Sequence, residues 1–157
     1  MPEKHHNYAV TITWTGNLGP GTTAYSAFSR AHTIEAPEKP TILGSSDPAF
    51  RGDKSRWNPE ELLLASLSTC HQLWYLHLCA EAGIIVTAYH DHAEGIMHEE
   101  ANGAGQFTAV TLRPHVTITA ASDAAKARDL HHKAHEMCFI ARSVNFSVHT
   151  EPKIQKE

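Results

Sequence analysis

The chain has 157 residues, 41% of them apolar and 19% charged, with a formal net charge of −4. This balance fits a single globular domain over residues 1–157 and excludes an intrinsically disordered chain. The negative charge argues against nucleic acid as a partner, and no apolar run is long enough to span a bilayer, which argues against a membrane.

The opening "MPEKHHNYAV" carries no apolar signal core, so the expected location is the cytoplasm. Residues 8–15 alternate apolar and polar and predict a strand. "NLGPG" breaks it, and "TTAYSAFSRAHTIEA" has strand composition that predicts a hairpin partner. "PEKPTILGSSDPAFRGDKSRW" is rich in Pro, Gly, Ser and Asp and reads as loop. A long helix follows in "NPEELLLASLSTCHQLWYLHLC". Asn58 suits its N-cap, Pro59 its first position, and Glu60 and Glu61 its positive dipole end, while Gly83 can stop it. Glu61 stands at the capping-box position. Leu63, Leu67, Cys70, Trp74 and His77 share one face, and Leu62, Leu73 and Leu76 make a second apolar stripe. Such a helix is expected to be buried on more than one side, in a core or against a second copy. "GIIVTAYHDHAEGIMHEE" and "QFTAVTLRPHVTITA" read as two strands joined at "ANGAG". "SDAAKARDLHHKAHEM" reads as a helix with Ser122 as N-cap, and "NFSVHTEP" as a closing strand. The fold class is therefore α+β, with antiparallel sheet and segregated helices.

Three cysteines, Cys70, Cys79 and Cys138, sit in a chain read as cytoplasmic, where thiols are redox-active, catalytic or plain core residues. Burial as an inert small hydrophobe is the common fate of a cysteine on such a helix. Cys70 and Cys79 are nine residues apart on one helix, on opposite faces and roughly 13 Å apart along its axis. A disulfide needs Cα atoms within about 7 Å, so this pair cannot close on a continuous helix. Cys138 is the remaining intrachain partner for Cys70. Two thiols brought together from distant sequence suggest an attacking and a resolving cysteine.

"NPEELLLASLSTC" resembles the signature of the OsmC/Ohr family of thiol-dependent organic hydroperoxide reductases, in which Asn-Pro-Glu opens a central helix and the reactive cysteine lies ten residues after the glutamate. The second cysteine, after a helix in the last third, matches too, and the longer "WNPEELLLASLSTCHQLWYLHLCAEAG" is similar to an OsmC-like subgroup. The resemblance implies antiparallel sheets wrapped around central helices in an intertwined homodimer, with active sites at the subunit interface. It implies reduction of organic hydroperoxides to alcohols, with Cys70 attacking, Cys138 resolving and Glu60 holding a catalytic arginine. The reductant it implies is a dithiol, in this family typically a dihydrolipoyl group, and no bound cofactor is called for.

Glu60 and Cys70 lie roughly 15 Å apart along one helix, so the expectation is that antiparallel central helices bring Glu60 of one copy to Cys70 of the other. The arginine is expected at Arg51, which is one place off the family spacing, with Arg30 second and Arg56 third. Cys138 is followed by Phe139 where many relatives carry proline. His71 points about 100° away from Cys70 around the helix and is read as packing.

Two other readings compete. Thirteen histidines, with His90 and His92 alternating on a strand and His131 and His135 four apart on a helix, raise a metal-binding protein, although no complete ligand motif is present. A redox-silent binder of an apolar small molecule is the other.

Overall fold

The computed structural model describes residues 1–157, which divide into two compact units, Met1–Leu62 and Leu63–Glu157. The first unit is a three-stranded antiparallel sheet of β1 (Thr11–Trp14), β2 (His32–Glu35) and β3 (Ile42–Gly44), with β2 in the middle. Ile12 lies opposite Ile34, which lies opposite Ile42. The expected hairpin is present but its second strand is short. Residues 16–31 turn back instead, held where Trp14 Nε1 donates to the Ser29 carbonyl at 2.8 Å. β3 falls in the stretch read as loop. It is recruited by pairing with the segment before the long helix, through Trp57 N–H to Leu43 O at 3.1 Å and Ser45 N–H to Trp57 O at 2.9 Å. No apolar side chain of this unit is buried, and Val10, Ile12, Leu43 and Trp57 stand more than half exposed.

The long helix α1 (Pro59–Glu81) begins at the end of this unit. Its start is a reciprocal capping box. Glu61 N–H donates to Asn58 Oδ1 at 2.8 Å, and Asn58 N–H donates to Glu61 Oε1 at 3.2 Å. Its end is a Schellman turn in which Ile84 N–H reaches Cys79 O at 2.9 Å and Gly83 adopts φ +73°, a conformation that costs glycine nothing.

In the second unit the two stretches read as single strands are each two. They are β4 (Val86–Asp91) and β5 (Glu94–Glu99), then β6 (Gly105–Leu112) and β7 (Pro114–Ile118). β8 (Ser147–Thr150) and β9 (Lys153–Lys156) close the chain. The strands sort into two three-stranded sheets, β4–β7–β9 and β5–β6–β8. The sheets are mixed, not purely antiparallel as expected, because β8 runs parallel to β6 and β9 parallel to β7. The intervening helix α2 (Ala124–Met137) is what makes this possible, since parallel neighbours need a long crossover connection.

One carboxylate secures the points where the chain passes from one sheet to the other. Asp91, at the end of β4, accepts from Arg113 N–H between β6 and β7 and from Ser68 Oγ on α1, both at 2.6 Å. The Arg113 guanidinium in turn pairs with Glu94 and Glu151 at 2.8 and 3.2 Å. Asp91→Ala would strand a backbone donor and a hydroxyl together, so it is expected to cost about 2–3 kcal/mol in urea unfolding. A midpoint equal to that of the parent would show that the carboxylate holds nothing.

The core of the second unit lies beneath α1. Leu67, His71, Tyr75 and Cys79 form its fully buried stripe. Tyr75 and Cys79 pack with Val116, Ile118, Ala127 and Ala134, and Leu67 with Val110 and Leu112. The stripe runs one position beyond the expected face, with His71 in place of Cys70 at its centre. The Tyr75 hydroxyl is accommodated by donating to Ala127 O at 2.8 Å. Thr69, Leu73 and His77 form the opposite, exposed stripe. α2 is capped by Asp123, which accepts from Lys126 N–H, and not by Ser122. Ser122 Oγ instead accepts from Ile85 N–H at 3.0 Å, a tertiary bond that withdraws it from the helix end.

Candidate active site

Cys70 projects from the middle of α1, half-buried, and Cys138 caps the C-terminus of α2 with almost no exposure. α2 buries Ala127, His131 and Ala134, and this register delivers Cys138 to the Cys70 sulfur. Both are free thiols. Burial, and then the neighbouring Cys70, push the Cys138 thiol up to about 11, against the opposing pull of the Ala141 N–H bond to its sulfur at 3.4 Å. Cys138 is therefore protonated near neutral pH, and of the two it is Cys70 that is open to solvent. Cys79 is buried against Tyr75 in the core, a bystander as its position on the helix required.

Beside Cys70 lies a cavity of about 340 Å³ lined by Ser66, Thr69, Leu73, Trp74, Phe139 and Ile140. Trp74 and Phe139 meet edge to face with ring centroids 5.5 Å apart. Trp74 gives the cavity an apolar wall, whereas Leu67 is wholly buried in the core a turn below and does not line it. Phe139 and Ile140 were missed as lining residues. The signal available was their adjacency to Cys138, which places any residue after a helix-capping thiol next to whatever that thiol faces.

Arg51 and Glu60 belong to the first unit. Arg51 ends a short 3-10 turn (Pro48–Phe50) with φ +63°, is exposed, and makes no hydrogen bond or ion pair with its guanidinium, whose carbon lies 5.9 Å from the Tyr25 ring centre. Arg30 is committed, with both terminal nitrogens donating at 2.6 Å to the carbonyls of Phe28 and Tyr25 and its plane lying over both rings. Arg56 donates to His32 O at 3.3 Å. Glu61 is occupied by the capping box, whereas Glu60 Oε2 is buried without a partner.

His71 is buried, with Nε2 3.0 Å from His131 Nδ1, which agrees with packing and not with a base for Cys70. His90 and His92 have ring centres 5.3 Å apart, but no three His, Cys, Asp or Glu side chains are placed to hold a metal ion.

The family model described as OsmC-like protein matches residues 52–153. The chain belongs to the OsmC family. An OsmC-like protein of unknown function from Vibrio cholerae is 34% identical over 95% of this chain and 100% of its own, with a TM-score of 0.86. An organic hydroperoxide resistance protein from Elizabethkingia anophelis is 17% identical over 98% of this chain and all of its own, with a TM-score of 0.68. Another, from Bacillus subtilis, is 19% identical over 94% and 98% with a TM-score of 0.62. At such identities these last two share the fold with this OsmC-like chain, and the α+β expectation holds. No curated protein matches it. No helix is long and apolar enough to cross a membrane.

Proposed function

We propose that this OsmC-family protein is a thiol-dependent peroxidase that reduces organic hydroperoxides to alcohols in the cytoplasm. The observation that carries the reading is the meeting of a half-exposed thiol, Cys70, with a buried protonated thiol, Cys138, beside an apolar cavity.

The Cys70 thiolate attacks the terminal oxygen of the hydroperoxide. An S–O bond forms, the O–O bond breaks, and the departing alkoxide takes a proton to become the alcohol. Cys70 is left as a sulfenic acid. Cys138 then attacks that sulfur. The S–S bond forms, and hydroxide leaves as water with the proton that Cys138 gives up. A dithiol reductant, of lipoyl type by family resemblance, restores both thiols by exchange. The cavity walls Leu73, Trp74, Phe139 and Ile140 suit the organic group of the substrate.

Arg51 is the cation proposed to stabilise the Cys70 thiolate, since its guanidinium is the uncommitted one of the three candidates. Glu60, with its orphaned oxygen, is the carboxylate proposed to orient it. Cys70 lies too far into α1 for the helix dipole to serve instead. An intertwined homodimer is proposed to complete the site, with Glu60 of one copy serving Cys70 of the other. The exposed apolar side chains of Leu73 on α1 and of Ile12 and Trp14 on β1 support it, because exposed apolar surface favours a cover.

One equivalent of cumene hydroperoxide added to the reduced protein is expected to lower its intact mass by about 2 Da, the loss of two hydrogens in an internal disulfide. Cys138→Ser should instead gain oxygen and fail to turn over with a dithiol. An unchanged mass in the parent protein would support the redox-silent binder.

A further inference from the structure

A second pocket in the Leu63–Glu157 unit lies between α2 and the segment from β8 to Pro152, and neither Cys70 nor Cys138 lines it. It has a volume of about 350 Å³ and is walled by Arg128, His131, His135, His149 and Thr150 among others, with no carboxylate in the wall. Three of these residues hold a buried polar atom with no partner: His131 Nε2, His135 Nδ1 and Thr150 Oγ1. Buried polar groups are as a rule hydrogen-bonded, and three unmet polar atoms on residues of one pocket wall leave a need there that the chain itself does not satisfy.

We infer that this pocket binds a small oxoanion, a carboxylate or a phosphate. The donors have the right character. His131 is 3% exposed and stacks on Tyr75 with ring centres 3.8 Å apart, so its orientation is locked. Its Nδ1 is engaged by His71 Nε2 at 3.0 Å. When His71 donates across that contact, the neutral His131 ring must carry its own hydrogen on Nε2, the unpartnered atom. An anion in the pocket selects this tautomer. Thr150 adds a hydroxyl donor. Arg128 gives one N–H to Pro152 O at 3.2 Å, which steadies the guanidinium at the pocket and leaves its other donors free for a charged oxygen.

Competing occupants fit less well. A metal ion would meet histidines that do not converge and an arginine that repels it. An apolar ligand would leave all three orphaned atoms unpaired. The inference does not depend on the peroxidase reading, since no group of the thiol cycle lines this pocket.

The test uses the full chain with ¹⁵N-labelled histidine, titrated separately with sodium phosphate and sodium acetate at constant ionic strength set by chloride. Saturable movement of the His131 ring signals with phosphate, acetate or both supports the site, and the responding anion identifies the ligand class. Arg128→Gln should weaken that response about tenfold, as loss of one charge-assisted contact does. Thr150→Val, which keeps the shape and deletes the hydroxyl, should weaken it as well. Signals that neither anion moves beyond the chloride control, or an Arg128→Gln titration matching that of the parent, would overturn the inference.

Discussion

Cys70→Ser is expected to lower the rate of cumene hydroperoxide reduction, with a dithiol as reductant, by at least about a thousandfold, equivalent to ~4 kcal/mol of transition-state stabilisation. A serine hydroxyl at this position is un-ionised and a poor nucleophile toward a peroxide oxygen, and nothing else near the cavity can replace it. Cys138 is protonated and buried, and Cys79 is sealed in the core. The contrast with Cys138→Ser is diagnostic. That variant keeps the attacking thiol, so it should still consume about one equivalent of peroxide per chain before stalling as a sulfenic or more oxidised acid. A Cys70→Ser protein with undiminished turnover would dispose of the enzyme reading and leave a family fold in search of another use.

Acidification is expected to destabilise the protein well before its carboxylates titrate. Burial holds His71 neutral down to about pH 4, where nearby Asp91 opposes the shift and His135 adds to it. Burial, with help from His71 and Arg128, holds His131 neutral down to about 3. In the unfolded chain both would titrate near 6.5. As pH falls below that value the unfolded state binds protons that the folded state refuses. The stability contributed by the neutral pair is thus complete above about 6.5 and is lost progressively toward the folded values. Between pH 7 and 5 the loss is about 2 kcal/mol for each ring, ~4 kcal/mol together. Urea midpoints at the two pH values measure it. A double variant, His71→Phe with His131→Phe, should show a flatter pH dependence than the parent even if it is less stable overall. Equal midpoints for the parent at pH 7 and 5 would mean that the buried pair accepts protons freely.

The helix carrying Cys70 was the most legible part of the chain. Its signals are local: an asparagine cap with its glutamate, a proline at the first turn and a glycine at the exit, each acting within a few residues. That Cys138 would be the thiol neighbouring Cys70 was legible for a different reason, because helix geometry had removed Cys79 from contention. The strands were read less well. Composition marked "QFTAVTLRPHVTITA" as extended but could not show that Arg113 divides it between two sheets, since both halves have the same β-branched character. The burial of His71 was anticipated only as packing. Its partner lies sixty positions away in α2, and no local pattern announces such a contact.

By itself, then, the amino-acid order determined the two helices, the extended character of most of the rest, the family, and which cysteine could never pair with Cys70. Those properties depend on short-range geometry and on motifs carried by neighbouring residues. Only the tertiary structure decided that the late strands run parallel to earlier ones, that Asp91 anchors the passage between sheets, that Phe139 and Ile140 wall the thiol cavity, and that three residues of a second pocket hold polar atoms without partners. Each of these results from packing the two helices and the sheets of the second unit together, which brings together side chains that no local preference relates.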